Sequence, residues 1–154
     1  MKLDTKGVNF LTELEGLKLN AYKCSAGVWT IGIGNTFYEN GSKVKEGDVI
    51  SKEQAYHLFY MVATKFEKVI NENLKVKINQ NQFNSLFCFV YNIGQTGFKN
   101  STLLRLVNIN PNDGNIAKQF LRWNKIAGKE SNRLTNRRIK ESSLYFTKWK
   151  NILS

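Results

Sequence analysis

The amino-acid sequence predicts an α+β fold that is mainly helical, on three observations. Val28 to Ile33 alternates along a short apolar run and an Asn40-Gly41 pair comes soon after, which reads as a strand and then a hairpin. Ser51 with Gln54 has the spacing of a capping box and opens a helix-period segment. Beyond that segment every apolar pattern is helical.

The first helix is carried by Val8, Leu11 and Leu14, with Phe10 pairing Leu14 at i,i+4, and Gly16 stops it. Glu15 is its last residue. An anion at a helix C-terminus is disfavoured by about 0.3–1 kcal/mol when exposed, and the same field makes the carboxyl harder to ionise. That suits a proton donor, although a solvated helix end is the plainer account of Glu15. A turn at Ser25, Ala26 and Gly27 leads into the strand. Alternation there puts Trp29, Ile31 and Ile33 on a core face. Val28, Thr30 and Gly32 take the other face, which with Gly34 leaves room for a ligand against the backbone.

Asn40-Gly41 is a favoured two-residue turn, flanked by Thr36–Glu39 and Ser42–Val44. The capped helix then carries Ala55, Leu58, Phe59, Val62, Phe66, Val69 and Ile70, a natural spine between a sheet lobe and the helical remainder of the chain. A second helix from Asn81 to Ile93, stopped by Gly94, is apolar nearly all round and should be central and buried, with Cys88 a small core residue. Shorter helices come next at Ser101–Val107, Ile116–Trp123 and Asn132–Trp149, punctuated by Pro111, Gly114 and Gly128. Trp123 and Trp149, at helical spacing, read as core.

The chain of 154 residues fits one domain or two small lobes sharing a helix, and 42% hydrophobic content supports a real core. No apolar run reaches the ~18 residues of a membrane span. The N-terminal stretch lacks the apolar core of a signal peptide, so synthesis as a cytosolic protein is expected. Cys24 and Cys88 are too few for a disulfide framework, and a single histidine, His57, with no CxxC or HxxxH spacing argues against a metal site. The net charge of +11 calls for a polyanionic neighbour: nucleic acid, anionic lipid or an acidic cell wall. No arginine-rich arm or nucleic-acid motif accompanies the charge.

The stretch EGLKLNAYKCSAGVWTIGIGNT, Glu15 to Thr36, resembles the catalytic segment of phage-type lysozymes, the endolysins that cleave bacterial cell-wall glycan. Glu15, Gly16, Leu19, Tyr22, Cys24, Gly27, Thr30, Ile31, Gly32 and Gly34 match the pattern in order and spacing. YNIGQTGFKNSTLL from Tyr91, AKQFLRW at Ala117–Trp123 and LTNRRIKESSLY at Leu134–Tyr145 resemble later parts of the same family. The resemblance implies one lysozyme-like domain over 1–154. It has a sheet lobe at roughly 15–55, a helical lobe of 1–14 with 70–154, a connecting helix at 51–70 and a glycan cleft between the lobes.

It further implies that Glu15 is the general acid and that residue 24 and Thr30 handle water. Position 24 is usually Asp in the family and in some members Cys, so the usual carboxylate pair is missing here. A thiol at its free pKa of about 8.5 is mostly neutral, so Cys24 stands open as base, nucleophile or water-positioning group, with Lys23 a nearby cation. Asn35 stands where many members carry His and keeps hydrogen bonding without charge. Arg137 resembles a family arginine that reaches the catalytic glutamate, against a solvated helix face as the ordinary reading. Thr36, Tyr91 and Ser101 correspond to sugar-contacting positions, though Ser101 equally suits an N-cap.

The expected function is peptidoglycan hydrolysis at the β-1,4 bond between N-acetylmuramic acid and N-acetylglucosamine during host lysis. No cofactor, nucleic acid or membrane span enters it. The expected state is a monomer held in the host cytoplasm until a separate pore-former (a holin) admits it to the wall. The competing expectation is a catalytically impaired wall-binding or membrane-active protein, whose basic last helix, Arg133 to Trp149, disrupts lipid.

Overall fold

The computed structural model describes residues 1–148. It is mainly helical with two small antiparallel sheets, as the α+β reading expects. The chain forms two compact units: Val8–Lys65, and Met1–Gly7 with everything from Phe66 onward.

In the first unit, α1 (Thr5–Glu15) ends at Gly16, whose φ of 78° and N–H donated to Thr12 O at 2.8 Å make a left-handed C-terminal cap. β1 (Lys18–Lys23), which alternation did not single out, pairs antiparallel with β2 (Trp29–Gly32), with Tyr22 opposite Thr30 and a register shift before it. The segment around Asp48–Ile50 adds a third edge: Ala21 N donates to Asp48 O, and Ile50 N to Leu19 O. Ile31, Val44 and Leu58 form the core, with Ala21, Trp29, Tyr38 and Ile50 packed around it.

The hairpin at Asn40-Gly41 forms with a three-residue loop instead of the expected two-residue turn. Tyr38 N donates to Ser42 O at 2.9 Å, Gly41 N donates to Tyr38 O at 3.0 Å, and Gly41 sits at φ 81°. That is a type I turn closed by a left-handed glycine, and only the bridge Phe37–Lys43 extends it. The expected ligand face of β2 also differs. Gly32 turns the chain at φ 65° and a Cβ there would lie 3.3 Å from Asn35 Oδ1 and 3.6 Å from Ala55. The glycine thus admits the neighbouring helix, and Thr30 is 3% exposed.

α2 (Lys52–Asn73) opens on the expected capping box, with Gln54 N donating to Ser51 Oγ and Ser51 N to Gln54 Oε1.

In the second unit, α3 (Gln80–Ile93) is the buried centre, capped by Asn79 and Gln82 in a capping box of its own and ended by Gly94 at φ 90°. Every residue from Asn81 to Val90 is buried, including Cys88. Each large apolar side chain there contributes about 1.5–3 kcal/mol by leaving water. After α4 (Gln95–Lys99), a single turn with no apolar period to betray it, come α5 (Thr102–Ile109) and α6 (Asn115–Leu121). β3 (Lys125–Ile126) and β4 (Lys129–Glu130) then form a minimal hairpin over Ala127 and Gly128, both at positive φ.

α7 (Asn132–Phe146) packs chiefly on α3, which corrects the picture of a free lipid-disrupting helix. Its Arg137, Arg138 and Glu141 are buried together: Arg137 Nε donates to Glu141 Oε1 at 2.9 Å and Arg138 pairs with Oε2. Burial pushes the Glu141 carboxyl up, against the pull of Arg138 and Arg137. Phe89 meets Phe120 and Trp123 edge-on, and Phe120 meets Tyr145; Trp123 itself is half-buried at the edge of this cluster, short of the core position expected. Trp149 lies outside the described residues.

Candidate active site

The first unit carries Glu15, Cys24, Thr30, Asn35 and Thr36. Glu15 is half-buried at the last position of α1, where the left-handed turn at Gly16 swings the chain into β1. Cys24 comes directly after β1, in the loop to β2. That loop has the same build as the hairpin at Gly41: Cys24 N donates to Val28 O at 3.0 Å, Gly27 N donates to Cys24 O at 2.8 Å, and Gly27 takes φ 75°. The expected turn at Ser25-Ala26-Gly27 is therefore present, and its shape has a chemical consequence. The Val28 and Ala26 N–H groups, with a smaller contribution from the Thr30 hydroxyl, hold the Cys24 thiol below its ordinary range, against the desolvation that raises it.

Lys23 plays a different part from the one its position suggests. Its Nζ lies 5.4 Å from the centroid of the Trp29 ring, across the β1–β2 pair. The thiol is shifted by backbone amides.

Thr30 Oγ1 donates to Val28 O at 2.9 Å, and the same hydroxyl is among the groups that lower the Cys24 thiol. A hydroxyl has one proton. While the thiol is neutral, Thr30 can donate to Val28 O and receive the S–H. Once the sulfur is ionised, the hydroxyl can turn to it, and Val28 O keeps the Cys24 N–H. The Thr30 hydroxyl and the Cys24 sulfur are thus coupled through the one hydroxyl proton.

Asn35 is 5% exposed and is built into the turn after β2. Its backbone exchanges hydrogen bonds with Ile31, its Nδ2 donates to Leu58 O at 3.4 Å, and its Oδ1 has no hydrogen-bond partner. Thr36 is part of the hairpin, accepting from Val44 N at 3.0 Å through its carbonyl.

The other site residues belong to the second unit. Arg137 is 8% exposed, with Nη2 donating to Cys88 O at 3.0 Å, so it is a packed group and not a solvated helix face. Tyr91 lies against Phe66 and Phe87, with centroids 5.2 and 6.0 Å away. Ser101 caps α5: its hydroxyl accepts from Leu104 N at 3.1 Å and donates to Phe98 O at 2.7 Å. That is the N-cap that its place before an apolar run suggests. Sequence reasoning missed the amide cradle at Cys24. The signal for it was Gly27 three residues after the cysteine, the spacing of a left-handed turn. No cluster of three or more His, Cys, Asp or Glu able to hold a metal ion occurs among the described residues.

The mainly helical α+β frame, with Glu15 at a helix exit ahead of a small hairpin that carries Cys24 and Thr30, has the build of a lysozyme-like glycoside hydrolase. Comparison with known proteins agrees. The family model described as phage lysozyme matches residues 12–141. The chain is 38% identical over 125 residues to the endolysin of Acyrthosiphon pisum secondary endosymbiont phage 1, covering 81% of this chain and 82% of that one. It is also 38% identical to the endolysin of Bacillus phage B103, covering 96% of this chain but only 55% of that longer relative. The solved endolysin from Escherichia coli O157:H7 phage FAHEc1 superposes with a TM-score of 0.89 at 37% identity, covering 96% of this chain and 94% of that chain. The chain belongs to the phage lysozyme family.

Proposed function

We propose that this peptidoglycan hydrolase of host lysis cleaves the β-1,4 bond between N-acetylmuramic acid and N-acetylglucosamine, with Glu15 as general acid and the Cys24–Thr30 pair managing the attacking water. The observation that carries the reading is that the β1–β2 hairpin sets Cys24 and Thr30 side by side, with Cys24 N and Thr30 Oγ1 both donating to Val28 O. At the position where the family usually has a carboxylate, this chain has a thiol whose pKa is lowered by the Val28 and Ala26 N–H groups, and in this reading its thiolate takes the carboxylate's part. The anion is supplied by different chemistry.

Glu15 gives its proton to the leaving oxygen as the bond from that oxygen to the anomeric carbon breaks. The oxocarbenium-like centre is met by a water oriented by Thr30 and Cys24, and the new bond forms from the water oxygen. The proton that this water sheds passes to the sulfur. A thiolate is larger and softer than a carboxylate, so besides taking that proton it is fitted to stabilise the developing charge and to place the water. Thr36 and Tyr91 belong to the same proposal as sugar contacts, whereas the hydroxyl of Ser101 is committed to the cap of α5. No described helix is long and apolar enough to cross a membrane. In this reading the enzyme works as a monomer, and a separate pore-former admits it from the cytoplasm to the wall.

The test is digestion of purified, lipid-free peptidoglycan. New reducing ends on muramic acid, identified by mass spectrometry of the fragments, are expected. Fragments cut in the peptide stems, or none, would overturn the reading.

A further inference from the structure

The chain carries more positive charge than its catalytic residues use, and one part of the excess is gathered at a cavity. A pocket of about 450 Å³ lies between Tyr38, Ile50 and His57 in the first unit, but its titratable side chains, His57 and Glu39, already pair with each other within the protein. A second cavity, of about 540 Å³, lies in the second unit where the chain leaving α2 meets α5. Lys75, Lys99 and Arg105 line it, and no carboxylate does. Among the described residues none of these three cations has an ion-pair partner.

The rest of its polar lining is amide and hydroxyl, including Asn100, Thr102 and Asn108. One wall is fixed: Lys75 N donates to Asn108 Oδ1 at 2.8 Å, and Asn108 Nδ2 donates to Asn73 O at 2.9 Å. The opening turn of α5, at Thr102, brings the positive end of a helix dipole to the same cavity. Three unpaired cations, a helix N-terminus and neutral donors around one hollow match a tetrahedral dianion or a phosphodiester, which can accept from several directions at once.

We propose that this cavity docks phosphodiester groups of a polyol-phosphate polymer on the bacterial wall, holding the enzyme at its substrate. The proposal rests on the wall-directed function only for the location of the partner. A nucleic acid is the less fitting polyanion, because no aromatic side chain lines the cavity to stack a base.

The experiment titrates the full chain with a glycerol phosphate oligomer and, separately, with inorganic phosphate, by calorimetry at low and moderate salt. The pocket variant is Lys75→Gln with Arg105→Gln, both exposed positions. The control is Lys118→Gln with Lys140→Gln, which removes equal charge elsewhere on the same unit. Oligomer binding that weakens with salt, falls at least tenfold in the pocket variant and changes less than threefold in the control is the expected result. Equal losses in the two variants would reduce the effect to general charge and overturn the proposal. So would equal affinity for a single-stranded oligonucleotide of the same charge, or tighter binding to anionic phospholipid vesicles. Cleavage of phosphate-free glycan is measured in parallel and should match the parent in both variants. A parent that cleaves but does not bind the oligomer refutes the docking site alone, and one that binds but does not cleave refutes the hydrolase assignment alone.

Discussion

Replacing Thr30 by valine separates what its hydroxyl does for the fold from what it does for the sulfur. The side chain is 3% exposed and donates to Val28 O at 2.9 Å. Losing one such bond costs about 0.5–1.5 kcal/mol. Val28 O is not orphaned, because it keeps the Cys24 N–H at 3.0 Å, and valine suits a strand. The expected loss is therefore about 1 kcal/mol, roughly 2–4 °C in Tm for a chain of this size. The effect on the site is different in kind. With one of its donors gone, the Cys24 thiol moves up toward its ordinary range, while the Val28 and Ala26 amides, which contribute more, remain. Thr30→Val should cleave peptidoglycan poorly at neutral pH and recover part of its rate as pH rises, because raising pH restores the thiolate. The part that never recovers measures the hydroxyl's hold on water. Reducing ends released from purified peptidoglycan across a pH series give the rate, and the pH dependence of iodoacetamide labelling at Cys24, followed by peptide mass spectrometry, gives the thiol. A folded Thr30→Val protein with the parent's rate and labelling profile at every pH would refute the coupling.

Glu15→Gln should fold like the parent and lose about 10²–10⁴ in rate, the usual worth of general acid catalysis, so near-parental cleavage would remove Glu15 from the mechanism. Cys24→Asp should stay active, since a carboxylate can use the same amide cradle, and Cys24→Ser should be impaired at all pH values; parental rates in both would make Cys24 a bystander. The same pair gives a stability test with a definite sign. The folded thiol ionises below its ordinary range, so its ionisation adds stability that is fully present above the unfolded pKa and is lost as pH falls through the lowered folded value. The Tm advantage of the parent over Cys24→Ser should hence grow toward alkaline pH, as calorimetry can show. Ser101→Ala should cost about 1–2 kcal/mol by removing the cap of α5, with cleavage rate per folded molecule unchanged; a large rise in KM would instead indicate a sugar contact.

Much of this molecule is written locally. The end of α1 at Gly16, the capping box at Ser51 and Gln54, the glycine stop after Ile93 and the burial of α3 each come from a few neighbouring residues, because caps, left-handed turns and helical apolar stripes are short-range devices. The order of Glu15, Cys24 and Thr30 is also plain in the sequence, since a hairpin fixes the spacing of its own residues. Other features were decided by groups distant along the chain or by backbone geometry. Lys18–Lys23 became a strand because β2 and the Asp48–Ile50 segment offer partners on its two sides; its own residues show no alternation. Gly32 faces Ala55 and Asn35, a contact that exists only once the helix packs on the turn. Arg137 and Arg138 turned inward because Glu141 and the Cys88 carbonyl meet them there, and composition alone reads such a pair as solvated. The state of Cys24 belongs to the same group: Gly27 marks the turn in the sequence, but the backbone N–H groups that lower the thiol take their places only in the folded chain.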